Sequence, residues 1–417
     1  MTRLPRRAVL GGGLALPFIA RPAWAASARV VIIGGGFGGA MLARVLRTLD
    51  PSVSVTLVES SASYTACPLS NQVITGLRPL ASQRFSFDGL IRAGIAVKID
   101  TAIAIDPHAR RVSLQSGAVL DYDRLVLAPG IDFRWNALPG SSPEAAEIMP
   151  HAWKGEAQMV LLSRQLQAIP DGGVVVMTVP EAPYRCPPAP YERASLIAHF
   201  LKTQRKRCKL LVLDAKEQFS NQKTFQAQWQ RLYPDLLEWV PPSQGGNPAS
   251  IDARAMKVST DFDDHIADVA NIIPPQRAGR IAELAGVADR SLWCPVDPMS
   301  FESRLQPGIH VIGDAIIGGA LPKAASATKD EAWACAQSIL HAFGGPAPVA
   351  PRVASACYMR ISADEGFSTQ SAYHPADGDN AGMFAESPEA AHTSAVSAVQ
   401  VREGEAWFGT LTKAAYG

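Results

Sequence analysis

RVVIIGGGFGG, Arg29 to Gly39, is a short β-branched run that passes directly into a glycine loop. An amphipathic stretch follows from Gly38 to Leu49, so the order is strand, tight turn, helix. Gly34 permits the turn, Gly36 lets the backbone approach a pyrophosphate, and Gly39 lets the helix lie close to the strand. The helix N-terminus then offers unpaired N–H groups to phosphate charge. A second run, Val53 to Val58, ends in Glu59, twenty residues beyond Gly39, where a carboxylate can accept hydrogen bonds from an adenosine ribose. An unphosphorylated ribose suits FAD or NAD.

Later features favour FAD. LVLAPG (Leu125–Gly130) reads as the strand and turn that closes a flavin domain, after short strands between Ile95 and Leu120. IHVIGDA (Ile309–Ala315) is a strand that delivers Asp314 to a turn, where its carboxylate can bind ribityl hydroxyls. Both segments resemble signatures of the glutathione-reductase-like flavoproteins. Beyond Gly318-Gly319, Pro322-Lys323 is expected to open a helix running through Ala336, because proline favours the first helical turn. Its N-terminus would stabilise negative charge on a reduced flavin, with Lys323 as a candidate contributor.

A second strand-helix-strand unit lies in the middle of the chain: Val174 to Val179, Tyr191 to Lys202, Lys209 to Asp214. Its connecting loop, residues 180–190, holds five prolines and no glycine. Such backbone is stiff, donor-poor and shielded, so a nicotinamide dinucleotide is not expected there. The loop instead carries Cys186, with Glu192 in the following helical turn. The fold class is therefore α/β, with two Rossmann-like dinucleotide-binding domains and a small α+β C-terminal domain. The expected limits are 26–140 with 281–345 for a discontinuous FAD-binding domain, 141–280 for the second Rossmann-like domain, and 346–417 for a C-terminal interface domain.

The chain has 417 residues, 47% of them apolar, enough for several cores. Its first 25 residues contain four arginines and no acid, leaving 35 basic against 38 acidic residues. That balance gives no reason to expect nucleic acid or an anionic membrane as partner. Arg6-Arg7, an apolar run to Ala20 and Ala23-Trp24-Ala25 read as a signal peptide over residues 1–25, of the type that exports proteins already folded around a cofactor. A periplasmic location is expected, and no later segment is long and apolar enough to span a membrane. The six cysteines, at 67, 186, 208, 294, 335 and 357, include no CxxC pair, which argues against a zinc site, a thioredoxin motif or haem attachment, so no metal site is expected. Cys208, Cys294 and Cys335 read as small buried residues. Cys67, Cys186 and Cys357 come from three domains that all face the flavin, as a redox relay requires.

The ordered blocks VVIIGGGFGG, CPLSNQVITG, LVLAPG, YRCPPAPYERASLIAHFL, WCPVDP, VIGDA and ACY resemble the flavoprotein subunit of flavocytochrome c sulfide dehydrogenase over essentially the whole mature chain. The resemblance implies FAD attached covalently through Cys67, a redox-active disulfide between Cys186 and Cys357, and Glu192 and Trp407 near the flavin. It also implies sulfide as substrate, sulfur or polysulfide as product, and a c-type cytochrome subunit as one-electron acceptor. Hydrosulfide is a strong nucleophile, and a disulfide sulfur is its natural target. An exported sulfide:quinone oxidoreductase is the first alternative, weighed against by a C-terminal tail read as lacking a long amphipathic helix. A non-catalytic FAD electron-transfer subunit is the second.

Overall fold

The computed structural model describes residues 28–205, 207–378 and 381–417. The signal-peptide reading of residues 1–25 falls outside them. Along the chain come β1 (Arg29–Ile33), α1 (Phe37–Leu49), β2 (Ser54–Glu59), α2 (Ser70–Ile74), β3 (Ala96–Ile99) and β4 (Arg124–Leu127). The middle contributes β5 (Val174–Val179), α3 (Ala189–Gln204), β6 (Lys209–Asp214), β7 (Leu237–Val240) and β8 (Val269–Ile272). Last come β9 (Ile309–Val311), α4 (Thr328–Ala342), β10 (Val353–Arg360), β11 (Gly366–Pro375), β12 (Phe384–Glu386) and α5 (Ala398–Tyr416).

Two parallel sheets form the α/β body. The first has the order β9-β4-β1-β2-β3, with β1 central and in register with Ser54–Val58 on one side and Arg124–Leu127 on the other. Val30 to Ile33 are all buried, as a strand covered on both faces must be. Helices α1 and α4 pack along each other over this sheet. The second sheet, β7-β6-β5-β8, is also parallel, and the apolar runs 174–179 and 209–214 pair residue for residue. The C-terminal part is an antiparallel sheet of β10, β11 and β12, with α5 packed on it. Its Phe367 is completely buried and meets Phe225 of the second unit edge-on at 5.1 Å. Tyr233 Oη donates to the carbonyl of Ile361 at 2.6 Å across the same boundary.

Two local expectations are corrected. No helix opens at Pro322-Lys323, because α4 starts only at Thr328. The segment before it is taken up by cross-chain bonds: Lys323 Nζ donates to the carbonyls of Asp314 and Ile316, and the Lys323 carbonyl accepts from the Cys186 N–H. The tail, read as lacking a long helix, is the 19-residue α5. Its buried positions Gly404, Phe408, Leu411, Thr412 and Ala415 recur at helical spacing and face inward, so its apolar face is spent on the chain's own core. Among the described residues no helix is long and apolar enough to cross a membrane.

Phe367→Ala should remove the plug between the second unit and the C-terminal sheet at a cost of about 3–5 kcal/mol. Amide hydrogen exchange should then quicken in β10 and β11 while β1 and β4 stay protected; uniform acceleration throughout the chain would refute a local role.

Candidate active site

The glycine loop is shaped by close approach. Gly34 has φ +103°, and a Cβ there would lie 2.3 Å from the Ala128 carbonyl oxygen. A Cβ on Gly39 would lie 1.9 Å from the Gly34 oxygen, so only glycine lets α1 start so near β1. A Cβ on Gly36 would come within 3.4 Å of the Tyr64 ring. No side chain caps the first turn of α1, which leaves its N–H groups for a ligand. Glu59, at the end of β2, accepts the Gly35 N–H at 2.7 Å and the Ser61 N–H at 3.1 Å, tying loop and strand end together. From behind, Tyr416 at the end of α5 donates its hydroxyl to the Gly35 carbonyl at 3.1 Å and stacks on Tyr64 and Phe85.

From this loop a cavity of about 980 Å³ runs past Asp314 to Cys67, Cys186 and Cys357. An open helix start with a carboxylate at one end, and an acid, a lysine and cysteines at the other, fit the length and chemistry of FAD. Gly34, Gly36, Gly39 and Glu59 would hold its adenosine diphosphate half. Asp314, Lys323 and Cys67 would face the ribityl and ring half, where a bound flavin supplies two-electron uptake and one-electron release.

The ring end is rich in buried charge. Arg185 is enclosed between Cys67 and Asp314; its guanidinium lies 4.0 Å from the Asp314 carboxylate and donates to the Trp153 carbonyl. Burial opposes its charge, but Cys67, Asp314 and Tyr64 more than offset that and keep it protonated. Burial pushes the Asp314 carboxyl up, against Arg185 and Lys323, which pull it down. Lys323 is not a solvated lysine: burial brings it down to about 8, and it sits 3.7 Å over the Trp293 ring.

Cys186 and Cys357 are brought within hydrogen-bond reach of each other from the proline loop and from β10. Their shared hydrogen bond raises Cys186, which burial raises further, and lowers Cys357 against its burial. Cys186 has φ +56°, a left-handed conformation that costs a non-glycine residue energy. It is held there by its N–H on the Lys323 carbonyl at 2.8 Å and by its carbonyl, which accepts from Ala189 N–H at 2.9 Å.

Glu192, in the first turn of α3, also lines the cavity, and burial raises its carboxyl. It accepts from Asn71 Nδ2 at 2.7 Å and from the Arg360 N–H at 3.0 Å. Next to it, Arg193 is fully buried and donates to Asn71 Oδ1, Asn271 Oδ1 and the carbonyls of His151 and Ala152. Burial brings Arg193 down to about 9, still cationic at neutral pH. Trp407 on α5 lines the cavity and leans on Tyr358 at 5.5 Å.

The structure thus gathers Gly34, Gly36, Glu59, Cys67, Asp314, Lys323, Cys186, Cys357, Glu192 and Trp407 around one cavity, with Gly39 behind it. Cys208, Cys294 and Cys335 are buried elsewhere. Sequence reasoning missed Asn71, Arg185, Arg193 and Tyr416. The Glu192-Arg193 pair inside a helix whose positions 190–198 are all buried was a readable signal, because two adjacent charges in a buried face need partners.

Residues 28–159 match the family model described as pyridine nucleotide-disulphide oxidoreductase. Residues 159–274 match the one described as sulfide dehydrogenase [flavocytochrome c] flavoprotein chain, central. The chain belongs to the pyridine nucleotide-disulphide oxidoreductase superfamily, and its FAD-type cavity is that of an oxidoreductase of this class. Within it, the chain is similar to the sulfide dehydrogenase [flavocytochrome c] flavoprotein chain of Chlorobaculum thiosulfatiphilum, 62% identical over 45 residues, which is 11% of this chain and 94% of that sequence. It is 21% identical over 312 residues to the mitochondrial sulfide:quinone oxidoreductase of Mus musculus, covering 68% of this chain but only 65% of that protein. The solved sulfide:quinone oxidoreductase of Aquifex aeolicus shares the fold, with a TM-score of 0.73 at 19% identity over 93% of this chain and 92% of that one.

Gly39→Ala should yield a folded but colourless protein. Far-ultraviolet circular dichroism should stay close to the parent while flavin absorbance per chain is lost; normal flavin content would show that α1 can back away from β1 without harm to the cradle.

Proposed function

We propose that this chain is the flavoprotein of a sulfide dehydrogenase: it oxidises sulfide to sulfur or polysulfide through a Cys186–Cys357 disulfide and FAD, and passes electrons singly to a c-type cytochrome subunit. The observation that carries the reading is the pair of adjacent thiols opening on the cavity that the glycine loop begins. In the oxidised pair, hydrosulfide attacks Sγ of Cys186 beside the cationic Arg185. The Sγ–Sγ bond breaks as the new S–S bond forms, and Cys357 leaves as thiolate. A second hydrosulfide takes the outer sulfur away as hydrogen disulfide and frees Cys186. When the dithiol returns to the disulfide it gives up two electrons and two protons, and Glu192 receives one of those protons. Bound FAD supplies the two-electron acceptor that restores the disulfide.

The loop at 180–190 supports this reading by closing the position where a nicotinamide dinucleotide would bind, which directs electrons to another acceptor. A one-electron haem suits a flavin whose ring end is ringed by the cations Arg185 and Lys323. Export to the periplasm and covalent attachment of FAD through Cys67, which lines the ring end, belong to the same proposal. The second reading, a quinone acceptor, is favoured by the extent of similarity to sulfide:quinone oxidoreductases. Comparing reduction of cytochrome c with that of a soluble quinone analogue separates the two.

Acid precipitation should leave the yellow colour with the protein pellet, and in Cys67→Ser all of it should pass to the supernatant. Wild-type flavin that is wholly acid-extractable would overturn the covalent link.

Cys186→Ser and Cys357→Ser should keep FAD yet bleach on anaerobic sulfide at least about a hundredfold more slowly than the parent, the scale of a lost nucleophilic relay. Bleaching at the parental rate in both would mean that sulfide reacts at the ring directly.

A further inference from the structure

Asn71 lies four residues beyond Cys67, in α2, and is 4% exposed. Its Oδ1 accepts from Arg193 Nε at 2.9 Å, while Nδ2 donates to Glu192 Oε2 at 2.7 Å and to the Ala189 carbonyl at 3.1 Å. A guanidinium has only donors, so the amide cannot turn over: the oxygen must face Arg193 and the nitrogen must face Glu192. The other carboxylate oxygen is held by the backbone of Arg360, three residues after Cys357. Glu192 is therefore gripped between the segment that bears Cys67 and the strand that bears Cys357, with its charge felt by both thiols.

We propose that Asn71 is a positioning residue for the redox centre: by donating to Glu192 while anchored on Arg193, it aims the carboxylate at the Cys186 and Cys357 thiols and keeps it able to exist as the anion that takes their proton. The role rests on the dithiol reading given above. Burial alone drives Glu192 toward the neutral acid, which has no use as a base. The opposing influences are the Arg360 N–H, the Asn71 amide and the charges of Arg360 and Arg193. Of these the Arg360 guanidinium is already engaged with Glu405 at 2.7 Å, and Arg193 is shared among four acceptors. The charged groups facing Glu192 are thus Arg193 on its own helix, Arg360 and Cys357 on β10, and Cys186 on the loop before α3. Asn71 supplies the side-chain donor from the remaining element, α2.

The sign follows. Loss of the Asn71 donor removes a bond that is stronger to the ionised carboxylate than to the neutral acid, so Glu192 stays protonated to higher pH and the thiols lose their base over the same interval.

The test is the pH dependence of iodoacetamide alkylation of the two thiols in the anaerobically reduced holoprotein, located by peptide mass spectrometry. No sulfide is involved, so this result is independent of whether sulfide is the substrate. Wild type should show a lower inflection from Glu192 beneath the thiol inflection. In Asn71→Leu that lower inflection should rise by about one to two pH units, the worth of a hydrogen bond to a charged group. Asn71→Asp keeps an acceptor for Arg193 and should raise it as well, which preserves the test if the leucine variant does not fold. Glu192→Gln should abolish the lower inflection, and Asn71→Leu with Glu192→Gln should match Glu192→Gln alone. An unmoved lower inflection in flavin-replete Asn71→Asp, or a further change in the double variant, would overturn the assignment.

Discussion

Glu192 and Arg193 are adjacent charges on one helical turn, buried where the glycine-loop unit, the second α/β unit and the C-terminal sheet meet. An unpaired charge in such a place would cost several kcal/mol, so the surroundings are built to satisfy both. Arg193 collects two amide oxygens and two carbonyls; Glu192 collects one amide and one backbone N–H. Those partners lie on α2, on the segment at His151-Ala152 before β5, on β8 and on β10. Satisfying two side chains therefore fixes how three units sit against each other, and the cavity for the cofactor is the space left between them.

Helix α5 completes that arrangement by running along the cavity. Trp407 lies near the cysteine end, Glu405 holds Arg360 and Arg78, and Tyr416 reaches the carbonyl of Gly35 in the phosphate cradle. The two ends of the site are thus mechanically joined by one helix. The aromatic stack of Tyr64, Phe85 and Tyr416 behind the loop gives that joint a packed, dry base.

The glycine loop, both parallel sheets and some of the residues that line the cavity, Glu59, Cys186 and Asp314 among them, were legible because their signals are local. β-branched runs bounded by glycine, a carboxylate at a strand end and a proline loop before a helix each carry their meaning within some twenty residues. The expectations at Pro322 and in the tail failed for long-range reasons. Proline allows a helix start but does not compel one, and the bonds from Lys323 to two distant carbonyls won. In α5 the inward face is small and interrupted by Gly404 and Thr412, so its period is hidden until Tyr64, Phe85 and Tyr358 show what it packs against. Asn71 could not be found from the sequence at all, since its partners lie more than a hundred residues away.

The placement of the two thiols has a mechanical consequence. Cys186 belongs to a strained loop residue held at both its N–H and its carbonyl, and Cys357 to a strand paired along its length with β11. Neither backbone needs the S–S bond to stay in place, because Glu192 already joins the start of α3 to β10 through Arg360. A cysteine pair whose supports persist in the dithiol state can open and close with little reorganisation, whereas a bridge that itself held two units together would let them part on reduction. The buried carboxylate thus does two things with one set of bonds. It locks the units around the cavity, and it ties the helix that follows Cys186 to the strand that bears Cys357.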